Sequence, residues 1–303
     1  MEPCIEIDSL TRDYCGGRGI FDISLSVGRG ECFGFCGING AGKTTTIRHL
    51  MGFLRPLEGT ATINGRDCWR DARDIKRMVG YVPGEINFPD VGSGTEFLRL
   101  QMDRAGQDDT AYCDYVCDRL QLDATAPLKR MSKGMKQKTA LAAAFMAKPD
   151  ILIMDEPTTG LDPLMRDRFL ELLGERVDAG CTVFMSSHVF DEMERACDRV
   201  ALIRDGHIAD VKDVDDIRHS KVKEYRIELE SDEGYRQALA LPFGKRSEEP
   251  DKRQLSFIVE NERAGALMRA LRELDVKWIK ETKHTLEGYF RGVLEKGEGS
   301  DVL

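Results

Sequence analysis

A chain of 303 residues has room for one large domain and a small one. Hydrophobic residues make up 41% and charged residues 32%, enough to bury a core, and the net charge of −9 excludes a basic nucleic-acid module. The charge is not segregated either: 18 basic and 20 acidic residues follow position 210, against 26 and 33 before it.

The longest wholly apolar run, Ala140–Ala147, is far short of the roughly 20 residues of a membrane-crossing helix. The start, Met1-Glu2-Pro3-Cys4, has no signal-peptide pattern, so a cytoplasmic location is expected. All nine cysteines precede residue 200 without zinc-site spacing, and they read as free thiols of a reduced compartment.

In chain order, residues 1–210 alternate strand-like and helix-like runs, as a layered α/β domain does. Cys32–Cys36 reads as a strand and Thr45–Leu54 as a helix. Thr60–Ile63 runs into Asn64-Gly65, a two-residue hairpin signal, as Val200–Ile203 does into Asp205-Gly206. From about 90 to 147 helical spacing takes over, opened by a capping box at Ser93-Gly94-Thr95-Glu96, and this stretch is expected to be a helical insert. Ile151–Met154 and Thr182–Met185 are short apolar runs typical of strands buried on both faces. Residues 211–223 are charged and read as a linker. A small α/β (α+β) domain is expected over 224–303, with strands at Tyr225–Leu229, Gln254–Val259 and Val276–Ile279 and helices at Arg263–Leu274 and Leu286–Leu294.

Gly37-Ile38-Asn39-Gly40-Ala41-Gly42-Lys43-Thr44 fits G-x-x-x-x-G-K-[ST] between a strand and a helix. Its glycines let backbone N–H groups turn inward around phosphates, and the helix N-terminus favours an anion. The expected ATP-binding set is Gly37, Asn39, Gly40, Ala41, Gly42, Lys43, Thr44 and Thr45. Lys43 is expected on the β- and γ-phosphates and the Thr44 hydroxyl on Mg²⁺. Ile151–Met154 ends in Asp155-Glu156: Asp155 is expected to hold Mg²⁺ and Glu156 to align and deprotonate the attacking water.

The residues around these two motifs resemble the ATP-binding-cassette (ABC) family over about 3–210. Met131-Ser132-Lys133-Gly134-Met135 stands where that family keeps its signature. Thr159-Gly160-Leu161-Asp162-Pro163 resembles its D-loop, Ser186-Ser187-His188 its H-loop, and Tyr14 its adenine-stacking aromatic. The resemblance implies a P-loop NTPase fold of the ABC type and head-to-tail pairing with a second ATPase subunit, identical or different. Two ATP molecules would lie between them, with Ser132, Gly134 and Asp162 reaching the nucleotide across the interface and His188 on the γ-phosphate as a catalytic residue. Two positions depart from the pattern. Gly80-Tyr81-Val82-Pro83 is followed by Gly84 and Glu85 where a glutamine is usual, so Glu85 or a water takes its place near Mg²⁺. Lys133 and Met135 replace the usual glycine and glutamine of the signature.

The Ser-Lys-Gly-Met signature and the small extra domain resemble the ABC-2-type bacterial exporter branch. That resemblance implies a membrane-spanning permease subunit as partner and a position on the inner face of the cell membrane. Two other readings are a soluble ABC-type ATPase acting on ribosomes or nucleic acid, and a weakly catalytic cassette paired with a different one. The single phosphate loop and the lack of room for a coiled coil argue against the first of these. The altered signature motivates the second.

Overall fold

The computed structural model describes residues 3–107, 110–218, 222–282 and 285–298, which fall into two compact units, Met1–Val214 and Asp215–Leu303.

The first unit opens with two long antiparallel strands, β1 (Pro3–Asp13) and β2 (Gly19–Gly28), followed by β3 (Cys32–Cys36) and helix α1 (Lys43–Leu50). The helix stops four residues before the expected Leu54, in a turn where Gly52 takes φ +61°. The hairpin of β4 (Glu58–Ile63) and β5 (Arg66–Asp67) turns on Asn64 and Gly65, both at positive φ as a type I′ turn needs. Helix α2 (Ala72–Met78) leads to β6 (Val79–Val82).

Three helices follow without a strand among the described residues: α3 (Gly94–Ala105), α4 (Ala111–Arg119) and α5 (Lys133–Phe145). Ser93 caps α3 by accepting from Glu96 N, but Glu96 accepts from Gly92 N, one residue earlier than a capping box requires. The chain returns through β7 (Ile151–Asp155), α6 (Pro163–Asp178), β8 (Thr182–Ser187), α7 (Phe190–Ala196), β9 (Arg199–Arg204) and β10 (His207–Asp213).

These strands form two sheets. An antiparallel one runs β2-β1-β4-β5. The central one runs β10-β9-β3-β8-β7-β6 and is parallel except for its β9–β10 edge. β3, β7 and β8 are buried at every position, as strands covered on both faces must be. Apolar side chains of both sheets and of α1, with Phe33, Phe35, Ile47, Ile153 and Phe184 among them, share one core.

Val211–Asp213 and Val214–Arg218, expected as linker, are instead the end of β10 and a short helix, α8. Ile208 and Val211 pack on the core, which draws the strand on past the expected boundary. Residues 219–221, the rest of that expected linker save its last two, lie outside the described residues.

The second unit continues with β11 (Val222–Leu229), α9 (Asp232–Leu239), β12 (Gly244–Glu249), β13 (Gln254–Glu260), α10 (Ala264–Leu271), β14 (Val276–Thr282) and α11 (Leu286–Glu298). Its antiparallel sheet runs β12-β13-β11-β14, the order of a β-α-β-β-α-β ferredoxin-like unit. Tyr225, Ile227 and Leu229 of β11 and Leu255, Phe257 and Val259 of β13 form a second core with Leu267 and Leu271 of α10.

Candidate functional site

The C-terminal ends of parallel strands are where an open α/β sheet binds ligands. Here the ends of β3, β6, β7 and β8 gather around a cleft of about 440 Å³ lined by Asn39, Thr44, Gly84, Glu85, Asp155, Glu156 and His188, among others.

The loop from β3 to α1 is fixed by its glycines. Gly42 caps α1 at φ +115°, and a Cβ there would come within 2.6 Å of Ile20. A Cβ on Gly37 would come within 2.4 Å of the Ile203 carbonyl. Ala41 is buried, whereas Asn39, Gly40 and Thr44 are exposed toward solvent and Thr45 is half-buried. Lys43 is only 5% exposed: its Nζ donates to Gly37 O at 2.6 Å and Ile38 O at 3.2 Å and pairs with Glu156 Oε1 at 3.1 Å.

Glu156 follows β7 with φ +50°, a costly conformation for a side-chain-bearing residue. Its N–H is shared between Ser186 O at 3.2 Å and Ser186 Oγ at 3.1 Å, which holds it there. The turn aims the carboxylate at His188, with Nδ1 and Oε2 2.7 Å apart. A carboxylate acceptor assigns the proton to Nδ1. Asp155 is buried; its Oδ1 accepts from Ser186 Oγ at 2.7 Å, while Oδ2 has no hydrogen-bond partner among the described residues.

A buried, unpartnered carboxylate oxygen needs a cation or water. Gly84 lies beside it: a Cβ at that position would stand 2.7 Å from Asp155 Oδ2, so the missing side chain leaves that approach open. With Thr44 and Glu85 lining the same cleft, the donor set is all oxygen and suits a hard divalent cation such as Mg²⁺. Tyr81 also lines the cleft, and its phenol is pushed up to about 12 by burial, with the charge of Asp155 adding to the effect.

The remaining expected residues lie elsewhere. Tyr14, 46% exposed, follows β1 beneath the Arg12 guanidinium at 5.4 Å and does not line the cleft. Ser132 caps α5 through Met135 N, and Asp162 caps α6 through Met165 N. Neither they nor Gly134 line the cleft. Gly134 instead packs on the loop after β7, where an added Cβ would meet Gly160 O at 2.9 Å. From the same helix, Gln137 donates to Pro157 O at 2.7 Å. Gln137 escaped the sequence reading because a glutamine within a helical run carries no motif signal. Ser186 reads in sequence only as the first residue of the H-loop run, which gives no sign that its hydroxyl bridges Asp155 and the Glu156 N–H.

Comparison with known proteins agrees with this geometry. The family model described as ABC transporter matches residues 20–159. The Nod factor export ATP-binding protein I of Paraburkholderia xenovorans (strain LB400) is 39% identical over 212 residues, 68% of this chain and 69% of that protein. The uncharacterized ABC transporter ATP-binding protein YcbN of Bacillus subtilis (strain 168) is 30% identical over 308 residues, 96% of each chain. A solved ATP-binding subunit of an ABC transporter superposes with a TM-score of 0.64 at 30% identity, covering 71% of this chain and 92% of that one. The chain belongs to the ATP-binding subunits of ABC transporters and is an ATPase of the P-loop fold.

Proposed function

We propose that this ATPase works at the inner face of the cell membrane, pairs with a second cassette and couples ATP hydrolysis to export through a separate membrane-spanning permease. The observation that carries the hydrolytic part is the meeting of Asp155, Glu156 and His188 at one cleft, with Lys43 paired to Glu156. Phosphoryl transfer asks a protein mainly for positioning and charge stabilisation, and these four side chains supply both.

Lys43 exchanges Glu156 for the β- and γ-phosphates, and the loop from Gly37 to Thr45 cradles them. Thr44 and Asp155 would hold Mg²⁺, with Glu85 or a water completing the set, and the ion would supply charge neutralisation on the phosphate oxygens. Glu156 aligns a water and takes its proton, and His188, oriented through Nδ1, meets the γ-phosphate. Tyr14 stacks on adenine. Ser132 and Gly134 sit outside the cleft of their own chain, which supports their use, with Asp162, on the nucleotide of the paired cassette.

A second opening of about 660 Å³ supports permease docking. Its floor includes Phe53, Val79, Phe88, Phe97 and Ala144, and Lys76, Arg77 and Arg104 add positive charge. It adjoins the loop after β6 that also lines the nucleotide cleft, so one segment meets both. No described helix is long and apolar enough to cross a membrane, in keeping with a separate permease. The ferredoxin-like unit is an accessory domain.

Co-purification of the full chain with a multi-span membrane protein encoded beside it, followed by ATP turnover in vesicles, tests the reading. Turnover is expected to respond to the membrane protein; failure to associate with it and turnover indifferent to it would overturn the coupling.

A further inference from the structure

We propose that Glu192 is a positioning residue for the Glu156–His188 pair. This rests on the hydrolytic reading above and extends it to a side chain with no place in that reading. Glu192 lies on α7 and is 3% exposed, an expensive place for a carboxylate unless its interactions require it there.

Its partners come from the two loops that carry the pair. Oε2 accepts from Thr158 Oγ1 at 2.8 Å and from Ser187 Oγ at 3.1 Å. Thr158 is two residues beyond Glu156, and Ser187 directly precedes His188. Because Ser187 gives its proton to Glu192, its oxygen is left to accept from Val189 N at 3.0 Å, so the peptide unit after His188 is tied to the side chain before it. Oε1 faces Arg166 Nη1 at 3.8 Å, and the Nε of that arginine donates to Leu161 O at 3.3 Å in the loop before α6. One buried carboxylate therefore joins the loop after β7, the loop after β8 and the start of α6. The Glu156 backbone is strained at φ +50°, and its 2.7 Å contact with His188 requires those loops in register. Glu192 touches neither reacting residue and acts through Thr158 and Ser187.

Steady-state ATP turnover of the full chain, with ATP binding measured in parallel, distinguishes positioning from general support. Glu192→Ala is expected to lower kcat by about tenfold or more, the cost of misplacing a reacting group, with KM for ATP and ATP affinity within about twofold of wild type. Glu192→Gln keeps an oxygen acceptor for both hydroxyls and should restore most of kcat. Ser187→Ala should lower kcat alone, yet add less to Glu192→Ala than it costs by itself, because the two share one link. Glu192→Ala turnover at the wild-type rate would overturn the proposal, as would a fall in kcat accompanied by an equal weakening of ATP affinity, with the Gln variant as damaged as Ala. Should Glu192→Ala fail to fold, Glu192→Gln and Ser187→Ala decide: both at wild-type kcat, or an additive double variant, would overturn it. Glu156→Gln is assayed beside them. If it hydrolyses ATP normally, the hydrolytic reading fails and takes this one with it. If it is inactive while Glu192→Ala is normal, only the positioning role falls.

Discussion

The ammonium of Lys43 is satisfied by two carbonyls and by Glu156, so phosphate binding is an exchange of partners within a buried space. Charge-assisted contacts to phosphate outrank those to neutral carbonyls, which drives the exchange. Lys43→Ala removes the only change in favourable charge that ATP brings to this side chain. Nucleotide titration should show binding lost at concentrations that saturate the wild type, and unchanged affinity would remove Lys43 from the site. His49, one turn beyond the nucleotide loop on α1, carries a different consequence. Burial lowers its imidazole to about 4 from an ordinary 6.5, with the charge of Arg12 adding to the shift and a Leu54 backbone hydrogen bond opposing it. Between these values the unfolded chain binds a proton that the folded one refuses. This residue's stabilising contribution is therefore full above about pH 6.5 and declines as pH falls toward 4. Urea midpoints at pH 7.5 and 5.5 should fall further for the wild type than for His49→Leu. Equal falls would contradict the assignment.

At the scale of elements, the nucleotide loop, the carboxylates after β7 and His188 were legible because each is a fixed run of residues at a strand end. The hairpins at Asn64-Gly65 and Asp205-Gly206 were legible through turn chemistry. β12 was not: Gly-Lys-Arg-Ser-Glu-Glu has no apolar period, and the strand exists because it pairs with β13 at a sheet edge. Glu192 and Gln137 were hidden, as was the part Ser186 plays within its H-loop run, since these roles lie in partners 34, 20 and 31 positions away. Gly84 acquires its meaning the same way. Read as a missing glutamine, it is a departure; beside Asp155 it is the clearance that leaves Oδ2 open. Gly84→Ala should crowd that oxygen and weaken Mg²⁺-dependent ATP affinity by about 10-fold or more, with affinity in a metal chelator nearly unchanged. Equal affinity of both proteins with Mg²⁺ would show that the loop yields and that Gly84 has no such role.

On the scale of the whole molecule, two openings share the segment from Tyr81 to Asn87, one holding the hydrolytic residues and the other an apolar floor beside basic side chains. Lys76 stands over the Phe53 ring at 4.5 Å, away from the reacting groups. Lys76→Glu should leave basal hydrolysis within about twofold while lowering stimulation by the permease about tenfold, as reversal of an interface charge does. Unaltered stimulation would move the docking surface elsewhere.

The central claim is that Glu156 deprotonates the attacking water in a nucleotide held between two cassettes. Glu156→Gln keeps size and shape but removes the proton acceptor, so phosphate release should fall by about 10²- to 10⁴-fold. ATP binding should persist or tighten, because Lys43 loses its competing partner and a negative charge near the γ-phosphate is gone. Size-exclusion chromatography of this variant with Mg²⁺ and ATP, run beside a phosphate-release assay, should show an inactive protein that elutes as an ATP-dependent dimer. Hydrolysis at the wild-type rate would contradict the role of Glu156, and an inactive variant that stays monomeric with ATP would contradict self-pairing.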